Sequence, residues 1–415
     1  MNFPALRFKH DDGRDFPDWE ERKIGDFVLS HKGGAPLKPA DFVKNGNFEV
    51  IPKKAISRGG YLELDEVEPT YCSKEFFEAN QGSVVDSSFL ITTLRDLVPS
   101  GPSIGYIVKY ISNKKYILAQ GVYGIKVDEN LIEDFLIQYS NTSKYRELMQ
   151  TMMVGSTQVH IRNSDFFNTP FAVPILKEQT KIANFLTTID EKITQLTQKN
   201  DLLTQYKKGV MQKIFSQELR FKDHDGKDFP EWEELSISEM FYRNTHSSKT
   251  EYIVSDGKFI IVDMGSISRE AKLLSTKNTN FTNDFLTTND LVMAKDDIGG
   301  GNIIGRVVQI PENNKYICGD HVYKLTLKQG YVSYFYYAVN STKVNKSFRQ
   351  KANGTAQIGI SNKTVDEQLL PVPRFNEQTK IANFLTAIDD KITATQTQLQ
   401  ALKQYKQGLL QQMFV

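Results

Sequence analysis

The chain reads as an α+β protein built twice. The expected architecture is two mixed α/β globular regions separated by two long antiparallel coiled-coil helices, related by a pseudo-two-fold internal repeat. Three observations predict it. Sequence blocks recur in the same order in both halves. Each half closes on an apolar seam with heptad spacing. The stretches between are β-branched and aromatic, and broken by Gly, Pro and Asn.

The repeat is direct. LRFKHDDGRDFPDWEE begins at Leu6 and LRFKDHDGKDFPEWEE at Leu219, while EQTKIANFLT is identical at 178–187 and 377–386. Tyr206-Lys-Lys-Gly209 returns as Tyr405-Lys-Gln-Gly408. The offset is 213 residues at the first block and 199 at the later ones, so the second globular region is 14 residues shorter. The centres match only in patches, such as Gly155, Gln158 and Asn163 against Gly354, Gln357 and Asn362. Four segments follow: 1–177, 178–215, 216–376 and 377–415.

In the first long helix the seam runs Ile182, Leu186, Ile189, Ile193, Leu196, Asn200, Leu203, Lys207, Val210 and Ile214. In the second it runs Ile381, Leu385, Ile388, Ile392, Thr395, Leu399, Leu402, Lys406, Leu409 and Met413. Alternating spacings of four and three keep these positions on one face, and each stripe needs a partner out of water. The two seams are each other's natural partner, and a two-fold relation makes them antiparallel. Polar Asn200 and Lys207 read as register control or as exposure near an end. Glu178 and Glu377 suit the positive end of the helix dipole, and Asn376 is placed to cap the second helix. Trp19 and Trp232 read as anchors seating each globular region on the helices. Strands are expected over 83–94, 104–111, 116–127, 259–264 and 316–327, and helices over 133–149 and 332–350.

Composition narrows function mainly by exclusion. The 415 residues carry 51 basic and 50 acidic groups, so net charge does not announce a nucleic-acid binder. Two cysteines exclude a disulfide framework, and no apolar run reaches membrane-spanning length; a cytoplasmic protein is expected. Six His are scattered, without HExxH or HxH spacing, and no metal site is expected. His10 and His224 lie in duplicated Asp-rich turns. Gly300-Gly301-Asn-Ile-Ile-Gly305 lacks the Lys-Ser/Thr of a phosphate loop and reads as a connection between strands. Asn168-Thr-Pro-Phe171 falls one Pro short of the amino-methyltransferase Asn-Pro-Pro-Phe/Tyr motif. No catalytic residue is assigned.

Near-identical helices around unlike centres suit two related but different ligands. A duplex nucleic acid read at two separated places fits that logic. At 1.5 Å per residue the 38 residues 178–215 span about 57 Å, roughly 17 base pairs, as an upper bound on the separation. Arg and Lys reach guanine edges or phosphates, and Gln reaches adenine. The candidates for DNA contact are Lys32, Lys38, Lys53, Lys54, Arg58, Arg95 and Gln158 in the first region. In the second they are Lys249, Arg269, Lys272, Lys295, Arg349, Lys351 and Gln357. Two other readings compete: a coiled-coil scaffold binding proteins at its ends, and a methyltransferase or nuclease acting alone.

Val-Pro-x-x-x-Glu-Gln-x-x-Ile-Ala at 173–183 and 372–382, the heptads after it, Gly33-Gly34-Ala-Pro36 and Gly-Ser-Thr-Gln at 155–158 resemble the specificity subunit of Type I restriction–modification systems. The resemblance covers essentially the whole chain. It implies two target recognition domains, each reading half of a bipartite, asymmetric double-stranded DNA site. It implies helices that dock two methyltransferase (modification) subunits, with restriction subunits joining the larger assembly. S-adenosylmethionine, ATP and Mg would belong to those partners, and this chain would be non-catalytic.

Overall fold

The computed structural model describes residues 4–56, 60–64, 67–97, 100–110, 112–354 and 357–414. Contacts divide the chain into two compact units, Met1–Gln198 with Thr397–Val415, and Lys199–Gln396. The division cuts both long helices, Leu176–Phe215 and Phe375–Met413. Each unit thus holds one globular region, the first half of the helix that leaves it and the second half of the other helix.

The first unit carries an antiparallel sheet in the order Val28–Gly33, Val122–Val127, Leu90–Thr93, Ile107–Val108. Beside it lies a smaller sheet, Val50–Ile51, Tyr116–Leu118, Val84–Val85, whose first pair is parallel. The second unit repeats the first strand order and keeps the parallel pair of the other sheet. Its antiparallel sheet runs Phe241–Asn244, Val322–Leu327, Asp290–Ala294, Val307–Gln309. Its other sheet pairs Phe259–Val262 with Tyr316–Cys318 in parallel. Central strands such as Leu90–Thr93 and Asp290–Ala294 are buried throughout.

Several expected elements are shorter than the sequence suggested. The stretch 116–127 is two strands, because the chain turns at Gly121 with φ +86°. Within 83–94 the Asp86 carboxylate accepts from the Ser88 amide and hydroxyl, and that turn divides the stretch. Each expected helix is two: Glu133–Ser140 with Ser143–Met152, and Val332–Asn340 with Thr342–Lys351. In the first case the Thr142 hydroxyl accepts from the Tyr145 amide and restarts the helix, a local bond that outweighs continued periodicity. Asn376 is not a cap. The second long helix begins at Phe375, with Arg374 taking the cap position and accepting from the Glu377 and Gln378 amides.

Every seam position in both helices is buried or half-buried. In the first unit Glu178 lies beside Trp19, whose ring meets Phe414 at 6.3 Å, while Asp190 pairs with Lys406. The two helix halves are therefore antiparallel there. In the second unit Glu377 bonds Trp232, Tyr334 touches both Trp232 and Phe215, and Asp389 pairs with Lys207, giving the same direction. Lys207 and Lys406 close cross-helix ion pairs, at 2.6 Å each.

The duplicated Trp and Glu explain each other. Glu178 has no exposed surface; its carboxylate accepts from Arg7 Nε at 3.0 Å, Arg7 Nη2 at 2.7 Å and Trp19 Nε1 at 3.2 Å. Glu377 is held identically by Arg220 at 3.2 and 2.8 Å and Trp232 at 2.9 Å. The hydrogen bond to Glu178 is the largest influence raising the Arg7 pKa, and the bond to Glu377 raises that of Arg220 in the same way. The glutamates therefore do more than meet a helix dipole, because each locks the segment before its globular region onto the helix after it.

Candidate nucleic-acid interface

The structure brings some of the candidate residues together and leaves others apart. In the first unit the turn Lys53–Ala55, the strand Arg95–Asp96 and the turn at Gly121 converge. A Cβ on Gly121 would lie 2.9 Å from Arg95 Cβ and 3.3 Å from Lys53 Nζ, so the Lys53 ammonium and the root of the Arg95 side chain sit against the bare backbone. Burial lowers the Lys53 pKa, and Arg95 lowers it further. His160 pairs with Arg95 across the strands, and exposed Gln158 begins that return strand's approach. Lys54 is exposed beside Lys53.

Lys32 stands elsewhere. Its ammonium donates to the Val84 carbonyl and lies 5.3 Å from the Phe89 ring, so it is tied into the sheet. Lys38 is exposed, preceding the turn Pro39–Asp41. Arg58 lies outside the described residues.

In the second unit Lys295, Gln357 and the strand Asp296–Asp297 share one neighbourhood with His321. His321 Nδ1 is 2.7 Å from Asp296 Oδ2 and 3.3 Å from Gln357 Nε2. Lys295 is half-buried, 5.9 Å from the Tyr323 ring. Arg349 and Lys351 are exposed in the last turn of the helix Thr342–Lys351. Arg269 is exposed, and Lys272 donates to Gln396 on the second long helix at 3.1 Å. Lys249 is buried, 3% exposed, with its ammonium 2.8 Å from Asp284.

The repeated loop before Gln158 and Gln357 has a backbone cause. Gly155 and Gly354 sit at φ +111° and +126°, and a Cβ on either would meet the carbonyl oxygen of Gln158 or Gln357 at 2.1 Å. Those glycines let the loop fold back, and the glutamine side chains remain exposed. Asp296, His160 and His321 were not among the residues expected from sequence. Their signal was the strand register, which the linear motif does not carry.

The motifs weighed for catalysis have structural work. Pro170 and Phe171 belong to the strand Pro170–Val173 leading into the first long helix, and the Asn168 side chain accepts from Lys23 at 3.1 Å. Asp297 accepts from the Gly299 and Ile303 amides and folds the Gly300–Gly305 loop over itself. Asp223 accepts from the Asp225 and Lys227 amides; one ligand atom each of Asp223, His224 and Asp225 lies within 4.8 Å of the others in this solvent-facing turn. No helix among the described residues is long and apolar enough to cross a membrane.

Known proteins resemble this chain in sequence and in fold. A family profile described as Type I restriction modification DNA specificity domain matches twice, over residues 17–205 and 230–404. The specificity subunit of the Type I restriction enzyme MjaVIII of Methanocaldococcus jannaschii is 24% identical over 411 residues, covering 95% of this chain and 91% of that one. The crystal structure of the S subunit of a Type I restriction–modification system from M. genitalium aligns with a TM-score of 0.64 at 17% identity, covering 100% and 99% of the two chains. A chain from a structure on complex assembly and conformational transition of the type I system aligns at 0.54 with 15% identity, covering 96% and 98%. With both halves matched, the chain belongs to the family of Type I restriction–modification DNA specificity subunits.

Proposed function

We propose that this chain is the non-catalytic reader of a Type I restriction–modification complex. Residues 1–177 and 216–376 each take one half of a bipartite, asymmetric duplex site, and the helices 178–215 and 377–415 space them. One observation carries the reading. The clamps Arg7–Glu178–Trp19 and Arg220–Glu377–Trp232 are the same in both units, whereas the residues around Gly121 and His321 differ. A duplicated frame with unlike contact residues is what two different half-sites require.

The same helices offer docking surfaces. Leu202 and Tyr206 are 65% and 53% exposed on the first, and Tyr405 is 55% exposed on the second. Gly209 and Gly408, one turn on, have nothing within 4 Å of a Cβ position. A glycine inside a helix costs about 1 kcal/mol, so its presence at both places fits close approach of two copies of one partner. Those partners are two methyltransferase subunits, with restriction subunits joining them. S-adenosylmethionine, ATP and magnesium are theirs, and the assembly works in the cytoplasm.

The test is selection from random duplex DNA by the chain bound to its methyltransferase subunit. The proposal predicts a gapped, two-part motif. Enrichment of no motif would favour a protein-binding scaffold, and methyl transfer by the chain alone would replace the reading with an enzyme.

A further inference from the structure

Strand register makes the two units comparable position by position. Val50 pairs in parallel with Ile117, and Ile261 with Ile317; the same short turn follows, starting at Lys53 in one and Met264 in the other. Val122 faces Thr93 and Val322 faces Ala294, so Gly121 and His321 are equivalent, both left-handed at φ +86° and +57°. Asp96 faces Val159 and Asp297 faces Ile358, so Arg95 and Asp296 are equivalent, as are His160 and Gly359.

At this junction the chemistry is exchanged. Lys53, Arg95, Gly121 and His160 in the first unit become Met264, Asp296, His321 and Gly359 in the second. Each unit keeps one glycine under its charged group. A Cβ on Gly121 would lie 3.0 Å from Lys53 Cε, and one on Gly359 would lie 2.5 Å from Asp296 Oδ1. Among the described residues neither Lys53 nor Arg95 forms an ion pair. Neighbouring Asp96 attracts Lys53, but its carboxylate accepts from the Leu97 amide and from the Ser103 amide and hydroxyl. Two half-buried neighbouring cations, with the adjacent acid already accepting from Leu97 and Ser103, are the kind of local choice found at binding sites. In the second unit the acid stands with a half-exposed imidazole, His321 at 48%, and with Gln357.

We propose that this junction is the base-reading position of both domains. Lys53 and Arg95 take the two acceptors of a guanine edge, and Asp296 with His321 takes the amino group of a cytosine or adenine. The assignment rests on each domain being a DNA reader and adds which polarity of base edge each takes. Guanine presents O6 and N7 together in the major groove, which suits two adjacent donors; a carboxylate accepts from an exocyclic amine.

Selection from random duplexes, using the chain in complex with its methyltransferase subunit, decides this with the variants Lys53→Met, Arg95→Gln and Asp296→Asn. Lys53→Met copies the residue the other domain carries there. The first two should lower preference for guanine at one position of one half-site by about ten- to a hundredfold. Asp296→Asn should relax one cytosine or adenine in the other half-site, and which base is lost identifies the amine. The untouched half-site in each variant reports that the chain is folded, and Lys53→Arg should keep the guanine. Equal weakening on all sequences, with a salt slope reduced by about one, would make these phosphate contacts and overturn the proposal. Unchanged base preferences would overturn it too. Failure of the parent complex to select any motif would instead overturn DNA reading itself.

Discussion

At the residue scale, the firmest feature is a buried carboxylate clamped twice over. Glu178 and Glu377 are fully buried, and each depends on an arginine from far earlier in the sequence. Arg7→Ala would leave a buried charge with only the Trp19 N–H, and should cost about 3–5 kcal/mol, read as a lowered urea midpoint. A loss under 1 kcal/mol would mean that water already reaches the glutamate. Sequence showed both ends of this clamp as duplicated residues, yet not that they met. The repeat pairs equivalents between halves and says nothing of contacts within a half. The two cysteines give a second check. Burial pushes the Cys72 thiol up and the Cys318 thiol up to about 12. Protonation is therefore favoured throughout the neutral range, and Cys318 becomes a reactive thiolate only near that alkaline value or on opening. Alkylation of Cys318 in the folded chain at pH 8 should be about a thousandfold slower than that of a free thiol. Labelling at the free-thiol rate would show that its sheet is open.

At the scale of the element, the long helices were the most legible part, because heptad spacing reports burial directly. What spacing could not report was the job of the seam lysines. Lys406 closes on Asp190 at 2.6 Å, with the Gln138 amide on the same carboxylate at 2.7 Å. Lys406→Met alone should cost about 3 kcal/mol in thermal or urea unfolding, since the acid is left behind. Pairing it with Asp190→Asn, which removes the charge and keeps an oxygen for Gln138, should recover most of that loss. If the double variant unfolds as early as the single one, the pair is doing more than fixing register. Gly209→Ala separates helix from docking. It should raise helix stability by about 1 kcal/mol while weakening binding of the methyltransferase subunit in titration calorimetry. Undiminished binding would remove Gly209 from the docking surface. The globular elements were less legible than the helices. Side-chain caps such as Thr142 ended helices that periodicity alone would have continued, and Gly121 divided one expected strand into two.

For the whole molecule, order in sequence predicted a duplicated α+β frame, and the chain folds as two units that share the order of one four-stranded antiparallel sheet and the parallel pair of a second sheet. The candidate contact residues were less legible, since a surface lysine looks alike in sequence whether tied, buried or free. Lys249 is paired with Asp284 and Lys32 is bound to the sheet, whereas Lys53 and Arg95 meet only through the register of distant strands. If the helices are the spacer, inserting one heptad into both adds about 10 Å and should lengthen the unread gap by about three base pairs. An unchanged gap in the selected motif would deny them that role. The arrangement proposed is two unlike readers sharing one frame. It is tested most directly by selecting duplexes with a chain in which the second globular region is replaced by a copy of the first, held in complex with the methyltransferase subunit. Two copies of one reader should select a gapped site whose two halves are the same sequence in inverted orientation. Two halves that still differ, or a single uninterrupted site, would contradict it.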